Sequence, residues 1–135
     1  MTGDVTREEL ASRIGEEGLV VIDVRTPDEY SGAGGYPCDP RQGHIPGARN
    51  LDVQVLAALV RSEQVRERLG LPEGAEIVAY CHSGSRSAIA VTILSRAGYE
   101  ARNYAGSWHE WSRDPDLPLE TGVPRRDLDN GATRT

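Results

Sequence analysis

Short apolar runs alternate along this chain with longer segments in which apolar residues recur at helical spacing. Residues 19–24 form a continuous run rich in β-branched side chains, as expected for a strand that is covered on both faces. Residues 77–80 form a second run of this kind, and residues 48–51 and 101–104 are weaker strand candidates. The pattern therefore predicts several short, buried strands.

Helix signals fill the segments between these strands. Capping-box spacing predicts a first helix from residue 6 to about residue 13 and a short last helix over 107–111. Apolar spacing predicts helices over 53–69 and 87–97, each followed by a glycine that stops it. Alternating strands and helices predict an α/β fold, a mostly parallel sheet with helices on both faces. In such sheets ligands bind beyond the carboxyl ends of the strands.

Two segments show neither pattern. Residues 31–42 are rich in Gly and Pro and predict an extended loop. Residues 125–135 are polar and predict disorder. A length of 135 residues suits one domain with one core, so we expect a domain over 1–122 and a disordered C-terminal tail over 123–135.

Charge and cysteine content narrow the function classes. The net charge of −6 argues against nucleic acid or an anionic membrane surface as a general partner. No apolar run approaches the roughly 20 residues that span a bilayer, and the N-terminus lacks a signal-peptide pattern. Two cysteines, Cys38 and Cys81, make no disulfide framework. These features predict a cytoplasmic protein with a reduced, reactive cysteine.

The stretch from Cys81 to Ser87 carries the clearest chemical signal, because it joins the end of a predicted strand to the start of a predicted helix. Backbone N–H groups of such a loop converge on one point, and the helix dipole adds positive potential there. That setting favours a thiolate and lowers the pKa of a cysteine. Since the thiolate is the nucleophilic form, we expect covalent sulfur chemistry at Cys81.

An ordered set of motifs resembles the rhodanese homology domain over residues 6–122. The motifs are DVR at 23–25, EY at 29–30, GHIPGA at 43–48, CHSGSRS at 81–87, and GS at 106–107 with Trp111. The resemblance implies a small three-layer α/β domain whose parallel sheet of about five strands carries helices on both faces. It also implies a sulfurtransferase whose cysteine carries a persulfide and which needs no cofactor.

The resemblance further implies a reaction in two halves. Cys81 would take the outer sulfur of thiosulfate or a persulfide donor and pass it to cyanide or a thiol. The residues expected to form the active-site loop are His82, Ser83, Gly84, Ser85, Arg86 and Ser87. Loop N–H groups and the hydroxyl of Ser83 or Ser85 would hold the persulfide, and Arg86 would close the loop. The substrate-anion contact of the family maps to Arg25.

Four functions are compared. They are a thiosulfate or persulfide sulfurtransferase, a sulfur-relay protein that serves protein partners and turns over thiosulfate poorly, a phosphatase or arsenate reductase, and a non-catalytic binding module. Four residues separate Cys81 from Arg86 where similar cysteine-dependent phosphatases have five, and the tighter loop suits a sulfur atom better than a phosphate. Retention of Cys81, Gly84 and Arg86 argues against a binding module. The first two functions stay open. Glu29 stands where mercaptopyruvate-using relatives have an arginine, which disfavours that donor.

Other polar residues near these motifs are assigned supporting roles or none. Asp23 is expected to pair with backbone N–H groups or with Arg25, and His44 to make structural hydrogen bonds at a turn rather than act as a base. His82 either tunes the charge of the pocket or faces solvent. Cys38 is interpreted as an idle surface thiol rather than a resolving cysteine. The histidines and cysteines show no metal-ligand spacing, so the sequence predicts no metal site.

Overall fold

The structure is a computed structural model, and it describes residues 4–72 and 74–123. The helices are α1 (Arg7–Arg13), α2 (Pro27–Ser31), α3 (Val53–Ala57), α4 (Ser62–Leu69), α5 (Ser85–Arg96) and α6 (Ser107–Trp111). The strands are β1 (Leu19–Asp23), β2 (Arg49–Asn50), β3 (Glu76–Tyr80) and β4 (Glu100–Asn103). No described helix has the length and apolar character needed to cross a bilayer. The tail predicted over 123–135 lies outside the described residues except for Val123.

All described strands are parallel, in the order β2-β1-β3-β4. This confirms the predicted α/β fold, and each strand overlaps a segment in which the apolar pattern predicts one. The described part of the chain has four strands where about five were expected. Beside β4, Val5 donates its N–H to the carbonyl of Asn103 at 2.8 Å without forming a strand. The N–H of Val24 bonds the carbonyl of Tyr80 at 2.9 Å, so residues 24–25 lie beside Cys81.

Alternating side chains of β1 and β3 build a core on each face of the sheet. Ile22, Ile77 and Ala79 point to one face, against a group of residues from α3, α4 and α5: Leu56, Val65, Leu69, Ala90 and Leu94. The opposite core contains Val21, Val78, Tyr80, Leu10 of α1, and Trp108 and Trp111 of α6. Cys81 continues the first alternation and belongs to the first core. Its side chain therefore faces α5.

The helix predicted over 53–69 is wrong as a single helix, because the chain breaks into α3 and α4. The side chain of Gln64 accepts hydrogen bonds from the N–H groups of Val60 at 2.9 Å and Arg61 at 3.1 Å. These contacts satisfy donors that a new helix N-terminus leaves free. Val60 is 85% exposed despite its apolar side chain. Local capping here outweighs continuous apolar spacing.

The apolar pattern also missed α2, the short helix that begins the long loop. Thr26 and Glu29 form a reciprocal capping box, in which each side chain accepts the other residue's N–H, at 3.3 Å and 3.1 Å. Pro27 occupies the first helical turn, where its missing N–H costs nothing. After α2, residues 32–42 contain no helix or strand, as the loop prediction expects. The capping box fixes Glu29 where it can reach the active-site loop.

Candidate active site

Cys81 lies directly after β3, and its thiol faces the N-terminus of α5. The N–H of Gly84 points at Sγ from 3.1 Å, and Ser87 adds its N–H and its hydroxyl, both at 3.4 Å. Ser87 is in the first turn of α5, whose N–H groups have no partner within the helix. The sulfur of Cys81 thus caps α5, and the helix dipole favours negative charge on it.

These contacts outweigh the effect of burial on the pKa of Cys81, whose side chain is completely enclosed. Burial raises the pKa of the thiol. Hydrogen bonds from the Ser87 hydroxyl and from the N–H groups of Ser87, Gly84 and Ser83 lower it further than burial raises it. The net result is a pKa below the ordinary value, as the strand–loop–helix layout predicts. The hydroxyl that reaches Sγ in this structure belongs to Ser87, and the contact of Ser83 or Ser85 with a persulfide stays a prediction.

Gly84 is required by the shape of this loop. Its φ is +98°, in the left-handed region that favours glycine. A Cβ atom on Gly84 would lie 2.7 Å from the carbonyl oxygen of Ala105. Asn103 donates its side-chain N–H to the Gly84 carbonyl at 3.2 Å. The Gly84 N–H is therefore aimed at Sγ by a backbone that no other residue adopts without strain.

Ser107 supports Cys81 from the opposite side, a role that the sequence did not indicate. Its hydroxyl accepts the backbone N–H of Cys81 at 3.0 Å and donates to the carbonyl of Tyr104 at 2.9 Å. The predicted capping box at 107–110 is wrong, because Ser107 makes no cap contact in α6. Its φ of +56° is the one left-handed value among described non-glycine residues. Such a strained backbone at a buried serine was the structural signal, and no sequence pattern contains it.

The first turn of α6 fixes the backbone that carries the nucleophile. The N–H of Trp108 donates to the carbonyl of Cys81 at 2.9 Å, and the N–H of His109 donates to the carbonyl of His82 at 2.9 Å. The Cys81–His82 backbone is thus held by donors that a helix N-terminus leaves free. A rigid backbone at this position keeps the Sγ donors in register.

The guanidinium of Arg25 is enclosed and paired in this structure, and the substrate-anion contact expected from the resemblance stays a prediction. Its guanidinium binds both oxygens of Asp23, with contacts of 2.9 Å and 2.7 Å, and donates to the carbonyl of Gly43 at 2.6 Å. The rings of Tyr80 and Trp108 lie against it, 5.6 Å and 5.1 Å from the guanidinium carbon. The Arg25 side chain is 1% exposed. It is a structural partner of Asp23.

His44 also has structural contacts. Its Nδ1 lies 2.7 Å from the carbonyl of Tyr30, and the two rings stack with centroids 3.6 Å apart. Its Nε2 lies 3.6 Å from a carboxylate oxygen of Glu120. Burial lowers the pKa of His44, which favours the neutral ring. None of these contacts joins His44 to Cys81, so the geometry fits a structural role at the turn.

The charge of Arg86, in the first turn of α5, is compensated by Glu29. Two guanidinium nitrogens of Arg86 reach the two Glu29 oxygens at 2.8 Å and 3.1 Å. Burial raises the pKa of Glu29, but the hydrogen bond from Arg86 and that from the N–H of Thr26 lower it more, and the carboxyl remains ionised. Arg25 and Arg86 therefore each have a carboxylate partner.

Two surface cavities flank the loop. One of about 480 Å³ is lined by Arg7, Ser83, Ala105, Gly106, His109, Glu110 and Arg113. The other, of about 300 Å³, is lined by Thr26, Glu29, Gly35, Tyr36 and Pro37. The first contains loop residue Ser83 and the second contains Glu29, the partner of Arg86.

The fold also gathers four side chains of metal-ligand type that the sequence keeps apart. Potential ligand atoms of Cys38, Asp39, His82 and His109 lie within 4.8 Å of one another. His82 is held there, stacked on Tyr36 with ring centroids 3.7 Å apart. Its ring is 12% exposed, so it does not simply face solvent. Spacing along the chain could not reveal this cluster, because its members come from three separate segments.

Comparison with known proteins identifies the family to which this chain is similar. A family model described as the rhodanese-like domain matches residues 6–114. A thiosulfate sulfurtransferase of Pseudomonas aeruginosa is 35% identical over 123 residues, which cover 85% of this chain and 45% of that protein. A sulfur carrier protein, TtuD, of Thermus thermophilus is 35% identical over 117 residues, which cover 76% of this chain and 41% of that protein.

A solved structure agrees with these sequence matches. The crystal structure of a probable thiosulfate sulfurtransferase superposes with a TM-score of 0.74 at 43% sequence identity, covering 87% of this chain and 47% of that one. The chain thus spans less than half the length of these three relatives.

Proposed function

The chain belongs to the rhodanese-like domain family, and from that premise we propose that it is a sulfurtransferase domain that works through a persulfide on Cys81. The observation that carries this proposal is the set of hydrogen bonds from Gly84 and Ser87 to Sγ. They favour the thiolate, which is the attacking form in sulfur chemistry. The relatives named as thiosulfate sulfurtransferases supply the donor class.

The proposed first half-reaction loads the cysteine. The Cys81 thiolate attacks the outer sulfur of thiosulfate, the new S–S bond forms, and the old S–S bond breaks with its electron pair leaving on sulfite. The terminal sulfur of the persulfide then carries the negative charge. N–H groups of the loop and the Ser87 hydroxyl are the donors available to hold it.

The proposed second half-reaction passes the sulfur on and regenerates the Cys81 thiolate. Cyanide, or a thiolate, attacks the terminal sulfur, and the Cys81 thiolate leaves with the electron pair of the broken S–S bond. Because Cys81 is completely enclosed, groups that cover it must move aside for either reactant to reach the sulfur. The same enclosure shields the persulfide from water between the two steps.

A specific observation favours sulfur relay as a second candidate function. Arg25 is bound by Asp23, and Arg86 is bound by Glu29, so the charges of these two guanidinium groups are neutralised. A small dianion such as thiosulfate gains less from a neutralised pair than from a free cation. A persulfide delivered by a protein partner needs no such cation, and one relative is named a sulfur carrier.

Cytoplasmic residence belongs to the same proposal, because the described cysteines are unpaired and persulfide chemistry needs them reduced.

The test of the proposal is intact-protein mass spectrometry after incubation with thiosulfate, together with turnover to thiocyanate in the presence of cyanide. Wild type and Cys38→Ser should gain one sulfur atom and turn over, whereas Cys81→Ser should do neither. Sulfur gain or turnover that persists in a folded Cys81→Ser protein would overturn the proposal. Loading from a small-molecule persulfide without loading from thiosulfate would select the relay. Hydrolysis of a phenyl phosphate ester that requires Cys81 would favour the phosphatase instead.

A further inference from the structure

The cluster of Cys38, Asp39, His82 and His109 is separate from the thiol of Cys81 and is centred on a buried carboxylate. The side chain of Asp39 is 1% exposed. Its Oδ1 accepts a hydrogen bond from Arg113 at 2.8 Å and lies 3.4 Å from Nε2 of His82, whereas no described residue donates a hydrogen bond of good geometry to its Oδ2. A buried carboxylate oxygen that lacks such a donor is costly, so this oxygen points to a cation.

Nitrogen and sulfur atoms surround the Asp39 carboxylate. Nε2 of His82 lies 3.1 Å from Oδ2 of Asp39. Nδ1 of His109 and Sγ of Cys38 lie 3.7 Å and 3.9 Å from the other carboxylate oxygen. With His82 fixed against Tyr36, one ligand and its orientation are set in advance. Three of the four ligand side chains thus face the carboxylate from different segments.

The donor set and the charge fit a divalent cation of the zinc class. A thiolate, two imidazole nitrogens and a carboxylate oxygen are all ligand types that zinc takes, and together they supply the four positions of a tetrahedral site. Zinc bond lengths of about 2.0–2.3 Å put ligand atoms about 3.3–3.6 Å apart. The present spacing, up to 4.8 Å, closes through small shifts of the exposed Cys38 and His109 side chains. With Cys38 ionised, its charge and that of Asp39 exceed the single charge of Arg113.

We propose that Cys38, Asp39, His82 and His109 bind one zinc-class divalent cation in a four-coordinate site at the rim of the active-site loop. The thiol of Cys38 loses its proton to solvent on binding, and no electron is transferred. The cation joins three segments: the loop between α2 and β2, His82 directly after Cys81, and α6. Both Cys38 and His109 are exposed, so the cation enters from solvent.

The test is a titration of Co²⁺ into the Cys81→Ser protein, in which Cys38 is the remaining thiol. We expect thiolate-to-cobalt charge-transfer absorption and intense tetrahedral d–d bands that saturate at one equivalent per chain and disappear when Zn²⁺ is added. The thermal midpoint should rise with Co²⁺, because a ligand that binds the folded state stabilises it. Absence of the charge-transfer band, or saturation at one ion per two chains, would overturn the site.

Two variants locate the cation within the cluster. His109→Gln in the same background removes a direct ligand and should weaken Co²⁺ affinity about tenfold or more. Loss of a residue that only hydrogen-bonds a metal ligand already lowers metal affinity by about tenfold. Cys38→Ser with Cys81 intact should show no charge-transfer band. His109 is half exposed, so the variant should keep the circular dichroism of the parent. Unchanged affinity in a folded His109→Gln protein, or a band that persists in Cys38→Ser, would contradict the assignment.

Discussion

The two cysteines of this chain have opposite surroundings. Cys81 is enclosed at the junction of β3 and α5, and its sulfur receives hydrogen bonds from Gly84 and Ser87. Cys38 is exposed in the segment between α2 and β2, and its thiol lies 3.9 Å from a carboxylate oxygen of Asp39. Donors that converge on a sulfur favour an anion ready to attack. Acceptors and imidazoles that converge on a sulfur favour a shared cation.

The comparison of Cys81 with Cys38 shows that the groups around each sulfur, and not the exposure of the side chain, set the chemistry expected of the thiol. Burial alone would raise the pKa of Cys81 and make it inert. The N–H groups of the loop reverse that effect because their positions are fixed by Gly84 and by α6. Changes to those fixed donors should therefore move the properties of Cys81 toward those of an ordinary buried cysteine.

The largest effect is expected from Gly84→Ala. The new Cβ meets the Ala105 carbonyl at 2.7 Å and requires a left-handed backbone, so the loop must shift and carry its N–H away from Sγ. Losing a fixed donor to a developing charge costs about a hundredfold in rate. We expect thiosulfate-to-cyanide kcat/KM to fall by about that factor, and the free energy of unfolding to fall by about 2–4 kcal/mol.

Gly15→Ala is the matched control for this variant. Gly15 has a φ of +83°, but a Cβ there has no neighbour within 4 Å. It should lower the free energy of unfolding by only about 1 kcal/mol and leave the sulfur chemistry unchanged. Equal kinetic losses in the two variants, measured at a temperature where both are folded, would show that loop geometry does not control Cys81.

A smaller effect is expected from Ser87→Ala, which removes the hydroxyl that lies 3.4 Å from Sγ. The pKa of Cys81 should rise because a donor to its charged form is lost. A hydrogen bond to a charged group is worth about 1.5–3 kcal/mol, so we expect turnover near neutral pH to fall at least tenfold. The loss should shrink as the pH is raised, since the thiolate then forms without help.

Ser85→Ala controls for loss of a loop hydroxyl, because no hydrogen bond to Sγ is seen from the Ser85 side chain in the described structure. Its pH profile should match wild type. A Ser87→Ala profile that is lowered equally at every pH would mean that the hydroxyl does not act through the ionisation of Cys81.

The smallest effect is expected from Glu29→Gln. The amide keeps an oxygen for the capping box with Thr26 but removes the charge that neutralises Arg86. A partly exposed pair of this kind is worth up to about 1 kcal/mol, so KM for thiosulfate should fall roughly two- to fivefold. Asp28→Asn, which removes a carboxylate one residue away, should leave KM unchanged. An unchanged or higher KM in Glu29→Gln would mean that Arg86 is not the charge that limits donor binding.

The sequence was sufficient for features that depend on local pattern. The strands around residues 19–24 and 77–80 follow from continuous apolar runs, and the lowered pKa of Cys81 follows from a small-residue loop between strand and helix. The capping box of Thr26 and Glu29 is also a local sequence pattern, but the helix that it begins was not predicted because the segment lacks apolar spacing. Features that depend on which segments meet in space were not readable.

Three residues have interaction partners that could not be predicted from the sequence. Arg25 carries the charge expected of an anion site, but the fold closes it between two aromatic rings and Asp23. Ser107 resembles a helix cap, but its hydroxyl is used by Cys81 and Tyr104. Asp39 lies in an irregular loop and yet is buried among His82, His109 and Arg113. In each case tertiary packing decides the partner of a polar group.

The most direct measurement is the pH titration of the two cysteine Cβ signals by carbon-13 NMR of protein labelled at cysteine. It reports ionisation without requiring a reagent to reach the enclosed Cys81, and the Cys38→Ser protein assigns the signals. We predict that Cys81 titrates at a lower pH than a free-cysteine peptide in the same buffer, because the loop donors stabilise its thiolate. A Cys81 signal that titrates at or above the pH of the peptide would contradict a loop that holds Cys81 as the attacking thiolate.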